Sequence, residues 1–130
     1  LTPDDVEAIA AQAMMEMLEG GFTHLAEFHY LHHAPDGTAY ADPAEMAIRI
    51  GAAAAQTGIG LTMLPVLYTH GGFGAQPPTP GQRRFVNGTD AYLRLVERTR
   101  AALPGAVIGV APHSLRAATG EQIAEALRAH

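Results

Sequence analysis

The sequence predicts an α/β chain in which helices and parallel strands alternate in the order α-β-α-β-α-β-α. Three observations predict it. Helix-start signals recur along the chain, short apolar runs lie between them, and successive runs are separated by a full helix, the spacing of crossover connections between parallel strands. Composition agrees. A chain of 130 residues is at most one domain, and 48% hydrophobic against 16% charged residues suits a packed core and is too apolar for disorder.

The elements follow from local chemistry. Thr2-Pro3-Asp4-Asp5 places a hydroxyl at an N-cap, proline at the first helical position and acids in the first turn. The Ala-, Met- and Glu-rich stretch to Glu19 continues the helix, and Gly20-Gly21 stops it. Thr23 to Tyr30 is a short strand ending in polar aromatics. Asp42-Pro43-Ala44-Glu45 repeats the cap signal and opens a helix to about Thr57, closed by Gly58. Ile59 to Tyr68 is a nearly continuous apolar run, as in a strand covered on both faces, although Pro65 lacks the N–H that a central strand uses. Asn87-Gly88-Thr89-Asp90 opens a third helix through Leu103, ended by Pro104-Gly105. Ala106 to Ala111 is a third strand, and Thr119-Gly120-Glu121-Gln122 caps a fourth helix.

Three parallel strands leave two open edges, whereas a doubly wound sheet has about five or more strands and a (β/α)8 barrel eight in about 250 residues. The chain starts on Leu1 and stops just after a helix. The expectation is an internal segment of a larger barrel or sheet, with residues 1–130 belonging to a single domain.

Several function classes are excluded. Thirteen acidic against eight basic residues give a net charge of -5 with no basic block, which argues against nucleic acid and anionic membranes as partners. No run approaches the ~18 apolar residues of a membrane span. The absence of cysteine rules out disulfides and thiolate metal sites and fits a reducing, cytoplasmic compartment.

The polar residues that could carry chemistry gather after the strands. His29, His32 and His33 end the first strand and begin the next loop, while His24 begins it; His70 follows the second strand, and His113 the third, in Ala111-Pro112-His113-Ser114-Leu115-Arg116. Strand C-termini share one side of a parallel sheet, so these clusters converge on one mouth, although any single histidine there is also an ordinary loop residue. The long irregular stretch from Thr69 to Asn87, with Gly71-Gly72-Phe73-Gly74, Pro77-Pro78 and Arg83-Arg84, opens onto the same side. As metal ligands His29 and His33 have the four-residue spacing of a helix but fall on a turn, which favours aromatic packing with solvated imidazoles. His113 and Arg116 share one short turn, where a guanidinium clamps a carboxylate and an imidazole donates to a polar group; pairing of Arg116 with a helix acid such as Glu121 is equally open. Arg83 and Arg84 suit a solvated face or an interface, and Glu27 a buried acid held by a core hydrogen bond.

The runs AEFHYLHH, YADPAEMAIRI, GIGLTMLPVLYTHGGFGAQPPTPGQRRFVNG and VAPHSLRA resemble the formimidoylglutamate deiminase family, within the amidohydrolase superfamily of metal-dependent (β/α)8 barrels. The resemblance covers nearly all 130 residues and about a third of such an enzyme. It implies a partial TIM barrel, strands two to four with their helices. It also implies hydrolysis of N-formimidoyl-L-glutamate to N-formyl-L-glutamate and ammonia, a step of histidine degradation, by a zinc-activated water in a homodimeric enzyme. The family's His-x-His metal pair on strand one, the histidine and glutamate on strand five and the aspartate on strand eight fall outside this segment. One zinc per full-length chain is therefore expected on residues elsewhere, with no catalytic or metal residue here. His113, Arg116 and Tyr30 are implied as substrate contacts; His70, His29 and Arg83 are candidate mouth residues.

Two other readings stay open. A related deaminase of ring amidines, guanine- or triazine-like, has less use for Arg116, because its substrate carries no carboxylate. A non-catalytic small-molecule module would have a doubly wound sheet and bind no zinc.

Overall fold

The structure, a computed structural model, describes residues 1–130. Four helices pack on one face of a parallel sheet: α1 (Pro3–Glu19), β1 (His24–His29), α2 (Glu45–Thr57), β2 (Gly60–Leu67), α3 (Thr89–Ala102), β3 (Val107–Ile108), β4 (Ala111–Pro112) and α4 (Gly120–Ala129), with a 3-10 turn at Pro80–Gln82. No helix is long and apolar enough to cross a membrane.

The helix starts follow their cap chemistry at both ends of the chain. Thr2 accepts from the Asp5 N–H at 3.2 Å while Asp5 accepts from the Thr2 N–H at 2.7 Å, and Thr119 and Gln122 form the same reciprocal box at 3.2 and 2.9 Å. At α2 the expectation is corrected. Asp42 is not the N-cap; Ala44 holds that position with no side-chain bond. The Asp42 carboxylate instead accepts from the Ala44 N–H and pairs with Arg98 on α3, so it ties the approach of α2 to the neighbouring helix. Gly58 ends α2 at φ 82°, a left-handed conformation that a side chain disfavours.

β2 is the central strand. It pairs in parallel with β1 from His24↔Gly60 to His29↔Pro65, and on its other side with β3 (Thr62↔Val107, Met63↔Ile108) and β4 (Val66↔Ala111, Leu67↔Pro112). The single third strand expected over Ala106 to Ala111 is thus two short pieces, yet the partner spacing is the same in both, so the register does not slip. The break at Gly109-Val110 lies opposite Leu64 and Pro65. Proline has no N–H to give the ladder, and the buried Tyr92 hydroxyl of α3 donates to the Pro65 carbonyl at 2.9 Å across the gap.

Spatial order follows chain order. Right-handed crossovers through α2 and α3 therefore land on one face of the sheet, a winding that closes into a barrel when repeated and not the reversal of a doubly wound sheet. On the covered face, Leu61 and Met63 of β2 pack with Ile50, Ala53 and Ala54 of α2 and Met14 of α1, while Leu67 packs with Tyr92 and Val96 of α3 and Ala126 of α4. On the open face Ala26, Phe28 and Val107 are exposed, Val107 by 62%.

Candidate active-site mouth

Alternation along β1 decides which side chains reach the open face. Leu25 packs against the α1–α2 core, so Glu27 and His29 share that covered face, and Phe28 and Tyr30 point the other way. At the C-terminal ends of the strands Tyr30, Tyr68 and His113 then meet. The His113 ring lies 4.6 Å from Tyr68, 5.8 Å from Tyr30 and 5.9 Å from Phe28, centroid to centroid. Phe85 closes the ring of aromatics, 5.0 Å from Tyr30 and 5.9 Å from Tyr68. These separations suit edge-to-face packing, which fixes ring planes as well as burying area.

His113 has both polar and apolar neighbours. Its partial burial, and secondarily the Arg116 charge, hold its imidazole below the usual histidine range, so it is neutral at neutral pH. Arg116 is exposed and makes no hydrogen bond or ion pair within the chain; Glu121 does not reach it. A cation left unpaired near a neutral imidazole can take a carboxylate.

The loops behind the mouth are fastened to each other. Arg84 donates to the His33 carbonyl at 2.9 Å, and the Arg84 carbonyl accepts from the His32 and His33 N–H groups at 3.0 Å each. His32 donates to the Val66 carbonyl at 3.1 Å and His33 to the Val86 carbonyl at 2.9 Å. Gln82 donates to the Tyr68 hydroxyl at 2.8 Å, which steadies one wall of the mouth from the 3-10 turn. At Gly71 any Cβ would run into the Pro77 carbonyl, so the loop can fold back there only with glycine.

Two of the candidate mouth residues are placed elsewhere. His29 is 3% exposed on the covered face, its ring 5.2 Å from that of His32. Burial, then the neighbouring His32, pushes it down to about 3; burial pushes His32 down to about 4 against the opposing bond to Val66. Both are neutral core imidazoles, because β1 carries His29 in the same alternation as Leu25. Arg83 donates to the Pro35 carbonyl at 2.7 Å and holds the 31–38 loop rather than facing the aromatic ring. His70 is half-buried and anchored through its N–H to the Ala117 carbonyl. His24 lies at the opposite end of β1, bonded to Thr62 at 2.9 Å. Glu27 finds no core hydrogen bond, and burial raises its carboxyl.

No three of the His, Asp and Glu side chains come together as a metal-ligand set. The largest cleft, about 750 Å³ between α1 and α2, lies away from the mouth; its Arg49 is already shared among Asp4, Glu7 and Glu45. Sequence reasoning passed over Tyr68, Phe85 and Ser114. The parity of β2 would have placed Tyr68 on the open face, whereas Phe85 sits in a loop whose path no periodicity describes.

Comparison with known proteins extends this geometry. No family model matches the chain. It is 56% identical over 131 aligned residues to a formimidoylglutamate deiminase from Pseudomonas aeruginosa, across 99% of this chain and 29% of that protein. Its backbone superposes with a TM-score of 0.97 on an amidohydrolase from Brucella melitensis, at 51% identity, covering 99% of this chain and 30% of that one. A mutant atrazine chlorohydrolase from Arthrobacter aurescens, complexed with zinc and atraton, shares the fold at a TM-score of 0.77 and 19% identity over 98% of this chain and 28% of its own. The chain thus spans less than a third of the length of the relatives it matches.

Proposed function

We propose that this chain is the substrate-binding part of a (β/α)8 amidohydrolase that hydrolyses N-formimidoyl-L-glutamate to N-formyl-L-glutamate and ammonia. The observation that carries the reading is Arg116, exposed and unpaired at the strand ends beside the neutral His113. The 56% identity to a formimidoylglutamate deiminase supports it. Glutamate brings two carboxylates to such a mouth, and a guanidinium binds one of them bidentately. Tyr30 supplies an exposed aromatic wall, and the buried Tyr68, held by Gln82, backs His113.

The chemistry is hydrolysis of an amidine. Water adds its oxygen to the formimino carbon, the bond from that carbon to the terminal nitrogen breaks, and the nitrogen leaves as ammonia. The residues of this chain bind and orient; no three of them form a metal-ligand set, so the zinc of the proposed enzyme belongs to residues outside it. A cytoplasmic enzyme of histidine degradation is the corresponding setting.

Ammonia release by the intact protein tests the reading, with N-formimidoyl-L-glutamate set against guanine and a chlorotriazine. Turnover of the linear substrate is expected; turnover of a ring substrate alone overturns the proposal in favour of a ring-amidine hydrolase. Arg116→Met is expected to raise KM roughly 10- to 100-fold, the loss of a charge-assisted bidentate contact, with metal content unchanged. An unaltered KM removes Arg116 from the site.

A further inference from the structure

His113 is held by more than its aromatic neighbours. Its Nδ1 lies 3.1 Å from the Ser114 hydroxyl oxygen, the one hydrogen bond its ring makes within the chain. Its Nε2 has no partner in the chain and is not among the buried unpaired polar atoms, so it reaches solvent. The Ser114 oxygen is itself fixed. It accepts from the Ala117 N–H at 3.3 Å, inside a turn in which the Ser114 carbonyl accepts from Ala117 and Ala118 at 3.1 and 3.0 Å.

This arrangement has a directional consequence. The Ala117 N–H takes one lone pair of the Ser114 oxygen, and Nδ1 is the one ring or side-chain atom of the chain paired with that hydroxyl, the acceptor its proton has within the chain. An imidazole that accepts at Nδ1 carries its proton on Nε2. We propose that Ser114 is a positioning residue that fixes His113 in the Nε2–H tautomer, so that the mouth offers a neutral hydrogen-bond donor beside the Arg116 cation. The inference deepens the substrate reading above and rests on it for its kinetic consequence, not for its tautomer.

The pairing makes chemical sense for a carboxylate ligand. Arg116 supplies charge and His113 a second donor at a fixed angle, with no need to choose between tautomers on binding. The opposite tautomer would turn a lone pair toward the carboxylate and repel it. The Tyr68 ring against one face of His113, itself held by Gln82, keeps the imidazole plane from rotating away.

The experiment is ring 15N NMR of the intact protein labelled at histidine, with the His113 signals identified by their loss in His113→Gln. A bare Nδ1 and a protonated Nε2 are expected for the native sequence, and Ser114→Ala should mix the two tautomers. Ser114→Thr, which keeps the hydroxyl, should restore the native pattern. In kinetics Ser114→Ala is expected to raise KM about five-fold, the worth of a typical net hydrogen bond, with kcat changed less and Ser114→Thr recovering most of it. A proton on Nδ1 in the native protein, or an unchanged tautomer in Ser114→Ala, overturns the inference whatever the substrate is. Failure to turn over N-formimidoyl-L-glutamate with the expected tautomer in place overturns only the substrate reading.

Discussion

Arg49 and Arg116 are the same side chain in opposite surroundings. On the outer helical layer Arg49 reaches Asp4 at 2.7 Å, Glu7 at 3.0 Å and Glu45 at 2.9 Å, so its charge is shared among three carboxylates from two helices. At the strand ends Arg116 has no carboxylate at all and stands beside an imidazole kept neutral. The same contrast holds for histidine. His32 and His33 donate to backbone carbonyls and join loops, while His113 turns an unpaired nitrogen toward solvent. Polar groups that satisfy one another hold the fold together; polar groups that the fold positions and leaves unsatisfied are available to a ligand.

The sharpest way to break this contrast is to disturb the mouth without touching either arginine. Gly71→Ala would press a methyl against the Pro77 carbonyl, a backbone atom that cannot step aside cheaply. The loop from Thr69 to Asn87 must then open, and it carries Gln82, which holds Tyr68, and Phe85, which closes the aromatic ring. We expect KM for the proposed substrate to rise on the order of tenfold, as displacing positioning groups does, while the urea midpoint moves little because both apolar cores lie on the far face of the sheet. A large fall in the midpoint with KM unchanged would show that the loop belongs to the fold and not to the mouth.

How much of this was legible in the sequence depends on the kind of signal. Caps are local, a hydroxyl and its partner three residues apart, and Thr2 and Thr119 were readable for that reason. Asp42 looks identical at that range, and only the position of Arg98 on another helix draws its carboxylate away from the cap. The broken third strand was unreadable within its own residues, because the break answers to Pro65 on the neighbouring strand. In the mouth, His113 and Arg116 stand out by residue type and strand-end placement, whereas Tyr30 is pointed to by the family resemblance alone. His29 stands out by type and placement as well and is misplaced by that same criterion; counting alternate residues from Leu25 would have put it under the helices.

The buried histidine pair gives a second, smaller test, read through pH. The unfolded chain takes up a proton on each imidazole near 6.5, the folded chain only near 3 at His29 and near 4 at His32. Between those values the unfolded state binds more protons, so stability must fall as pH drops through that window and is independent of these groups at neutral pH. Each histidine contributes a slope approaching about 1.4 kcal/mol per pH unit. His29→Leu in the intact protein should flatten the fall by close to one proton between about pH 6 and pH 4, measured as urea midpoint against pH, with KM at pH 7.5 unchanged. A KM effect there would return His29 to the mouth.

The smallest effect is expected from Arg49, and it completes the contrast with Arg116. Arg49→Met removes three ion-pair contacts at once, yet all lie on the surface of α1 and α2, where water and salt screen them and the freed acids are rehydrated at little loss. Asp4 is largely exposed, and Glu7 and Glu45 are half-buried, so each acid keeps access to water once the guanidinium is gone. The midpoint of urea unfolding should fall slightly at low ionic strength, and the difference should vanish in about 1 M salt, where the screening length is near 3 Å. KM should not change, since the cleft around Arg49 lies away from the strand ends. The same arginine-to-methionine change at Arg116 is expected to do the reverse, a large loss of substrate affinity with an unmoved midpoint. If instead Arg49→Met altered KM, the shared guanidinium would have to be counted among the groups the fold leaves available, and partner-free geometry would lose its value as a marker of the site.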